Sequence, residues 1–324
     1  MKKALITGIF GQDGSFLYEL LDQKGYQIYG IARKNMSNNS KKIQDELSKK
    51  GKKPIVCEID LLNYSHVKEI VRQVRPDEIY HLSASHVSSE GKKNGIEVDD
   101  NQIFIRNVTA TSNLLAACHE NSSNTKILTA GSCLMFDSSG TERQNENTIY
   151  KSGSLYGLGK IAENNLVQYY RNRGIYACTA ILYNHESYRR SEDFVTRKIV
   201  RNMCMLKNDS NHKFSLGNIE MKKDWGYAKD YVKGMYLMLQ QDRPQDYIVS
   251  SGELHSIKEF IDVCADILQI DNWSKNIEIN NKLINRNIIT QLYGDSSKIE
   301  RDLGWQREKN FKEWIFEMII KEKG

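Results

Sequence analysis

Tyr156 and Lys160 stand at i and i+4, a spacing that puts both side chains on one face of a helix. An ammonium held beside a phenol lowers the phenol's pKa. A tyrosinate prepared in this way can take a proton from a substrate hydroxyl while a hydride leaves for a nicotinamide. Upstream, Ser132 follows the apolar run Lys126-Ile127-Leu128-Thr129-Ala130, and its hydroxyl completes the constellation. Spacing alone is a poor guide in a chain with 17 tyrosines, and Tyr64 and Lys68 repeat it. That second pair precedes the fourth apolar run and belongs to a packing helix. Only Tyr156 follows a strand-end serine.

These side chains need a sheet to hold them. The N-terminus supplies an apolar run, Ala4-Leu5-Ile6, then Thr7-Gly8-Ile9-Phe10-Gly11-Gln12-Asp13-Gly14-Ser15, then the periodic Phe16-Leu17-Tyr18-Glu19-Leu20-Leu21. Strand, glycine-rich turn and helix in that order form a dinucleotide site. Gly8 permits the tight turn, Gly11 lets backbone approach a pyrophosphate, and Gly14 lets the helix pack on the strand. The first-turn residues, Gln12 and Asp13 among them, and the helix dipole face the phosphate charge.

A second strand, 26–32, ends in Arg33-Lys34, where an NAD-selective site usually carries Asp or Glu. The basic pair suits a 2′-phosphate and favours NADP. An arginine there can also stack on adenine, which leaves NAD open. A third strand, 54–59, is closed by Asp60 and Leu61, with Asp60 placed for the adenine amine. A fourth, 78–82, brings Leu82, Ser83 and Ala84 to the cofactor, and Ser85 and His86 (a positioned polar group) to the substrate. Residues 65–74 and 107–120 read as helices, the second with Val108, Leu114, Leu115 and Ala116 turned inward.

Strands alternating with helices at this spacing predict an α/β fold, a Rossmann-type doubly wound parallel sheet. Residues 1–183 form the NAD(P)-binding domain. Residues 184–324 form a smaller, mainly substrate-binding region, with helices near 193–207 and 225–240 returning to the sheet.

Composition narrows the function classes. In 324 residues, 46 Lys+Arg against 41 Asp+Glu leave a net charge of +5 with no basic block. That tolerates an anionic small ligand and makes no demand for nucleic acid. Six cysteines, at 57, 118, 133, 178, 204 and 264, are scattered without CxxC pairs. They read as free thiols of a cytoplasmic protein, with no disulfide framework and no metal site. No apolar run approaches the ~20 residues of a membrane span, and no signal peptide precedes the first strand.

Four blocks in order carry a resemblance: TGIFGQDGS (7–15), ILYNHESYRRSEDFVTRKI (181–199), LGNIEMKKDWGYAKDY (216–231) and MLQQDRPQDYIVSSGELHSIKEF (238–260). The chain resembles the extended short-chain dehydrogenase/reductase superfamily and, more narrowly, the GDP-mannose 4,6-dehydratase family, nearly end to end. The resemblance implies a tightly held NAD(P), a GDP-sugar substrate and a homodimer or tetramer. It makes Tyr156 the catalytic base, Lys160 its activator and Ser132 the hydroxyl partner. Asn184 and Lys198 would meet the sugar diphosphate, and Gly217, Asn218 and Lys223 would line the nucleotide pocket.

The departures from the family shape the functional reading. The family's Ser-Thr-Ser-Glu-Leu-Tyr-Gly aligns with Gly131-Ser132-Cys133-Leu134-Met135-Phe136-Asp137. Ser132 replaces the catalytic threonine, a tolerable change. Leu134 replaces the glutamate that takes the C5 proton before water leaves C6, and leucine cannot titrate. Losing such a base costs about 10²–10⁴-fold or more. Cys133 reads as a buried, inert thiol beside the sugar. The segment holding His86 is one residue shorter than in the family, and Arg286 replaces the family's diphosphate-gripping arginine with a one-residue shift.

The expected activity is therefore NAD(P)-dependent oxidation at C4 of a GDP-manno-configured sugar, GDP-manno-heptose or GDP-mannose, without dehydration. If the cofactor stays bound and reduced, a 2-oxo acid would reoxidise it. The alternatives are a true 4,6-dehydratase with an unrecognised base, a C4 epimerase or reductase, and a silent nucleotide-sugar-binding regulatory subunit. The intact Ser132, Tyr156 and Lys160 argue against the last.

Overall fold

The apolar runs read as strands lie mostly shielded on both faces, as in a parallel sheet covered by helices. Ala4, Leu5 and Ile6 are wholly buried, as are Ile127 and Leu128. The computed structural model describes residues 1–85, 99–136, 142–280 and 291–323. Its first half contains β1 (Lys3–Thr7), α1 (Gln12–Gln23), β2 (Gln27–Ala32), α2 (Asn38–Lys49), β3 (Ile55–Glu58), α3 (Tyr64–Val74), β4 (Glu78–His81), α4 (Asp100–Asn121) and β5 (Lys126–Ala130). After a 3₁₀ turn at Cys133–Met135 come α5 (Leu155–Arg171), β6 (Ala177–Leu182), β7 (Asn184–Glu186), α6 (Val195–Asn208), β8 (Phe214–Leu216) and β9 (Lys222–Tyr227). The chain continues through α7 (Ala228–Leu239), β10 (Tyr247–Val249), β11 (Leu254–Ser256), α8 (Ile257–Leu268), β12 (Ile277–Ile279), α9 (Ser297–Leu303) and α10 (Phe311–Lys323).

Seven strands form the main sheet in the order β10-β6-β5-β4-β1-β2-β3, and each neighbouring pair is parallel. The order reverses between β1 and β4, and a ligand crevice opens at such a switch point, at the carboxyl ends of the strands. Thr7 and His81, the last residues of β1 and β4, are register partners there. One face of the sheet is covered by α1 and α7, whose Leu17, Leu21, Val232 and Met235 are buried in the main core. The other face carries α3, α4 and α5, with Val67, Val71, Leu114, Leu115 and Val167.

A second core gathers α6, α8 and α10, around Met203, Phe260, Trp314 and Met318. Two small sheets, β11-β9-β7 and β12-β8, adjoin it. Chain order and space therefore part company after residue 184. Helix α7 packs on α1 and β10 pairs with β6, while α6 packs on α8 and α10. The apolar side of α6 (Ile199, Val200, Met203 and Leu206) matches the aromatic second core, which draws it away from the sheet.

The inward face of α4 differs from the expected one. Leu114 and Leu115 are buried, but Val108 and Ala116 are only half-buried, and Asn107 and Thr111 take the buried positions. Both polar side chains find partners in the site described below, which is why that face accepts them. None of the six cysteines is in a disulfide, and no described helix is long and apolar enough to cross a membrane.

Candidate active site

The turn after β1 is built by its glycines. Gly8 has φ +72°, a left-handed conformation that glycine adopts without a Cβ penalty, and a Cβ there would lie 3.1 Å from the Ser83 backbone at the end of β4. Gly11 N donates to Gly8 O at 2.8 Å and closes the turn. A Cβ on Gly14 would fall 2.2 Å from Gly8 O and 2.9 Å from Ile9 Cα, so only glycine lets α1 approach β1 this closely. Gly14→Ala should lower stability by about 2 kcal/mol or more, read as a fall in the urea midpoint.

This turn forms one wall of a cleft of about 930 Å3 at the switch point. Gly8, Ile9, Phe10, Gly11 and Gln12 face Leu82, Ser83, Ala84 and Ser85 across it, and Arg33, Lys34, Asp60, Leu61 and the first turn of α2 form its far end. A glycine wall at a helix N-terminus, a basic pair and an acid at the other end, and this size suit an extended dinucleotide. Arg33 Nη2 lies 3.4 Å from Ser85 Oγ, and Asp60 Oδ1 accepts from Leu62 N at 3.0 Å.

Asp13 departs from its expected place. It does not line the cleft; its carboxylate sits 2.9 Å from His185 Nε2. Burial raises the Asp13 pKa, but the charge and hydrogen bond of His185, with Arg190 and Gln12, together outweigh that and hold it below the usual value. For His185 burial lowers the pKa, and Asp13 more than offsets it. The Gln12 side chain also reaches this segment, donating to His185 O at 3.0 Å and accepting from Ser187 Oγ at 2.8 Å. Gly14 likewise serves packing and stays off the cleft wall.

Ser132, Tyr156 and Lys160 are not among the residues lining the cleft. Ser154 caps α5 by accepting from Gly157 N, and Lys160 reaches from its first turns to the end of β5. Lys160 Nζ donates to Ala130 O at 2.8 Å and to Glu163 Oε2 at 3.0 Å, and it lies 5.8 Å from the centre of the Tyr156 ring. Burial pushes the Lys160 pKa down, yet Glu163 and Tyr156 together more than offset it and leave Lys160 above its ordinary value. For half-buried Tyr156 the balance runs against the simple expectation. Burial raises its pKa most, Lys160 pulls it down, and Glu163 and Cys133 push it up, so it ends above the ordinary value.

His81 lies close by, its pKa pushed down to about 3 by burial and by the Lys160 charge. Thr7 Oγ1 accepts from Leu82 N, Ser83 N and Ser83 Oγ, and stands 2.8 Å from His81 Nδ1. Its own proton therefore goes to the neutral ring. One hydroxyl thus fixes where both central strands end.

Ser132 Oγ accepts from Leu134 N at 3.2 Å and so starts the 3₁₀ turn. Leu134 O occupies the place of a Gly157 Cβ, 2.1 Å from where that atom would be, which seats Leu134 against the first turn of α5. Its side chain packs half-buried on the main core. Cys133 is buried and its pKa is pushed up to about 11, by burial above all and by Asp224, with Lys223 opposing. Half-buried Lys223 is held below its usual value by burial.

Asn184 Nδ2 donates to Asp224 O at 3.2 Å. The Asp224 carboxylate is itself occupied, accepting from Ser251 N, Ser251 Oγ, Gly252 N and Gly294 N. Asn184, Cys133 and Lys223 thus gather around Asp224. Lys198 lies elsewhere, lining a cavity of about 360 Å3 with Glu192, Arg201 and Asn202. Asp193 lines both cavities. Gly217 and Asn218 sit between β8 and β9 and line neither, Asn218 Oδ1 accepting from Glu220 N. His86 and Arg286 lie outside the described residues.

The fold adds residues that sequence reasoning passed over. Asn107 holds Ser85 by two bonds, to its N at 2.7 Å and its O at 3.0 Å, and shapes the cleft floor. Its signal was a polar residue in phase with Leu114 on α4. Arg189 and Arg190 also line the cleft. Arg189 is buried and paired with Glu19 and Glu46, which ties α1 and α2 to the segment after β7.

With this geometry in view, comparison with known proteins is decisive. The family model described as GDP-mannose 4,6 dehydratase matches residues 5–318. The chain belongs to this family. It is 37% identical over 330 residues to GDP-mannose 4,6 dehydratase 1 of Arabidopsis thaliana, covering 98% of this chain and 89% of the relative. It is 33% identical over 344 residues to the GDP-mannose 4,6 dehydratase of Homo sapiens, covering 98% and 90%. Among solved structures, the dTDP-glucose 4,6-dehydratase of Bacillus anthracis in complex with NAD superposes with a TM-score of 0.82 at 17% identity, over 100% of this chain and 97% of that one. At that identity the likeness speaks for the fold alone.

Proposed function

We propose that this family member oxidises C4 of a GDP-manno-configured sugar, GDP-manno-heptose or GDP-mannose, to the 4-keto sugar nucleotide and eliminates no water. When bound in the cleft, a nicotinamide dinucleotide supplies the hydride acceptor, with Gly8, Gly11 and Gln12 at its pyrophosphate and Asp60 at its adenine. Arg33 and Lys34 favour NADP, and NAD fits if Arg33 stacks on the base. Ser132 holds the C4 hydroxyl and Tyr156 takes its proton. Lys160 keeps positive charge beside the phenol as that proton arrives. Asn184 meets the sugar diphosphate and Lys223 lines the nucleotide pocket, while Lys198 faces the other cavity. If the reduced cofactor is retained, a 2-oxo acid regenerates it, and the enzyme works as a homodimer or tetramer.

One observation carries the reading: the Leu134 carbonyl packs against the first turn of α5, and the resemblance aligns this leucine with the family's glutamate. Removal of the C5 proton needs a base there, and leucine provides none. Asp224, the buried carboxylate close to Cys133, has four donors on its oxygens and is poorly placed to substitute. The names of the relatives favour the second reading, a 4,6-dehydratase. Mass spectrometry after incubation with each GDP-sugar and NAD(P) separates the two. A product lighter by two hydrogens is expected, and a product lighter by one water overturns the proposal.

A further inference from the structure

Glu163 has no part in the proton path just described, since a hydroxyl, a phenol and an ammonium suffice for it. Yet it is buried beside the ammonium. Lys160 and Glu163 stand at i and i+3 on α5, their side chains 4% and 3% exposed, with Nζ 3.0 Å from Oε2. Thr111 Oγ1, reaching across from α4, donates to the same oxygen at 3.0 Å. The other oxygen, Oε1, is buried with no hydrogen-bond partner among the described residues. A half-satisfied buried carboxylate is a cost that packing alone does not explain.

A lysine withdrawn from water gives up its proton readily unless a countercharge is fixed beside it. The groups facing Lys160 are few. His81 of β4 is neutral, and Tyr156 and Glu163 share its helix. Thr111 of α4 carries no charge, and Cys133 and Arg190 act on Tyr156. Glu163 is the largest influence that offsets burial, with Tyr156 adding to it, and it is the only one of the two that also hydrogen-bonds the ammonium.

We propose that Glu163 is a positioning residue for Lys160: it pins the ammonium under the end of β5 and keeps it protonated into the alkaline range. The catalytic sense of this rests on the reading of Tyr156 and Lys160 as the oxidising pair, but the charge relation does not, and the two are tested apart.

The first test uses no sugar and no cofactor. In Glu163→Gln, Lys160 should lose its proton below the unfolded-chain value of about 10.4. The folded variant then binds fewer protons than the unfolded chain as pH rises toward that value, so its stability rises with pH relative to wild type. The deficit in folding equilibrium constant should shrink about tenfold for each unit of pKa displacement. Urea midpoints from about pH 7 to about pH 10 for wild type, Glu163→Gln, Lys160→Met and the double variant measure it. The shrinkage should vanish in the Lys160→Met background. A deficit that is the same at every pH, or the same with and without Lys160, overturns the proposal. Should Glu163→Gln fail to fold, Glu163→Ser removes the charge while leaving a small hydroxyl and carries the same comparison; a profile identical to wild type there also overturns it.

The second test follows sugar oxidation. In Glu163→Gln the alkaline fall in kcat should begin at lower pH, with KM for the sugar little changed and part of the range restored in Glu163→Asp. A wild-type alkaline limb in Glu163→Gln refutes the positioning role even where oxidation itself is confirmed.

Discussion

Replacing Tyr156 by phenylalanine should lower the rate of C4 oxidation by about 10²–10⁴-fold. The ring stays and only the phenolic oxygen goes, so the effect isolates proton transfer. Lys160 keeps Ala130 O and Glu163 as partners, which leaves the end of β5 and the cleft intact. Affinity for NAD(P) should therefore change little, measured by fluorescence titration of the variant. The pH profile adds a second check. A base works deprotonated, and burial outweighs Lys160 in setting the Tyr156 pKa above its ordinary value. Wild-type kcat should accordingly climb with pH on the alkaline side of neutrality, while the residual rate of Tyr156→Phe stays flat over that limb. A phenylalanine variant that keeps a tenth or more of the activity would mean that another group takes the proton.

The contrast between Tyr156 and Asp13 marks how far the sequence can be read. The glycine turn, the strand-end serine and the Tyr156–Lys160 spacing are local patterns whose consequences follow from one strand or one helix. The cleft accordingly gathers Gly8, Gly11, Arg33, Asp60 and Ser83. Asp13 sits in the same local pattern, but its partner, His185, comes from β7, well over a hundred residues on, and no periodicity announces that contact. The sign of the Tyr156 shift was missed for the same reason. Lys160 pulls as its spacing suggests, but the amount of burial and the opposing Glu163 depend on how α4 and α5 pack. The path of α6 into a second core was equally hidden, because an amphipathic helix declares an apolar face without naming what covers it.

Leu134→Glu should turn C4 oxidation into oxidation followed by loss of water. Once C4 is a ketone the C5 hydrogen is acidified, and a carboxylate at the first turn of α5 supplies what leucine lacks. A general base contributes about 10²–10⁴-fold, so elimination should rise from undetectable to a measurable share of turnover, read as product lighter by one water. The substitution costs stability, because Leu134 packs on the main core and a charge there loses hydration; about 1–3 kcal/mol is expected. Leu134→Gln bears a similar loss of packing without a base, so it should oxidise C4 and eliminate nothing. If glutamate and glutamine behave alike, the residue does not face C5 and the alignment of Gly131–Asp137 with the family is out of register. If wild type already eliminates water, the base lies elsewhere in the fold and the chain is an ordinary member of its family. The two substitutions separate those outcomes because they differ by a single titratable group at one position.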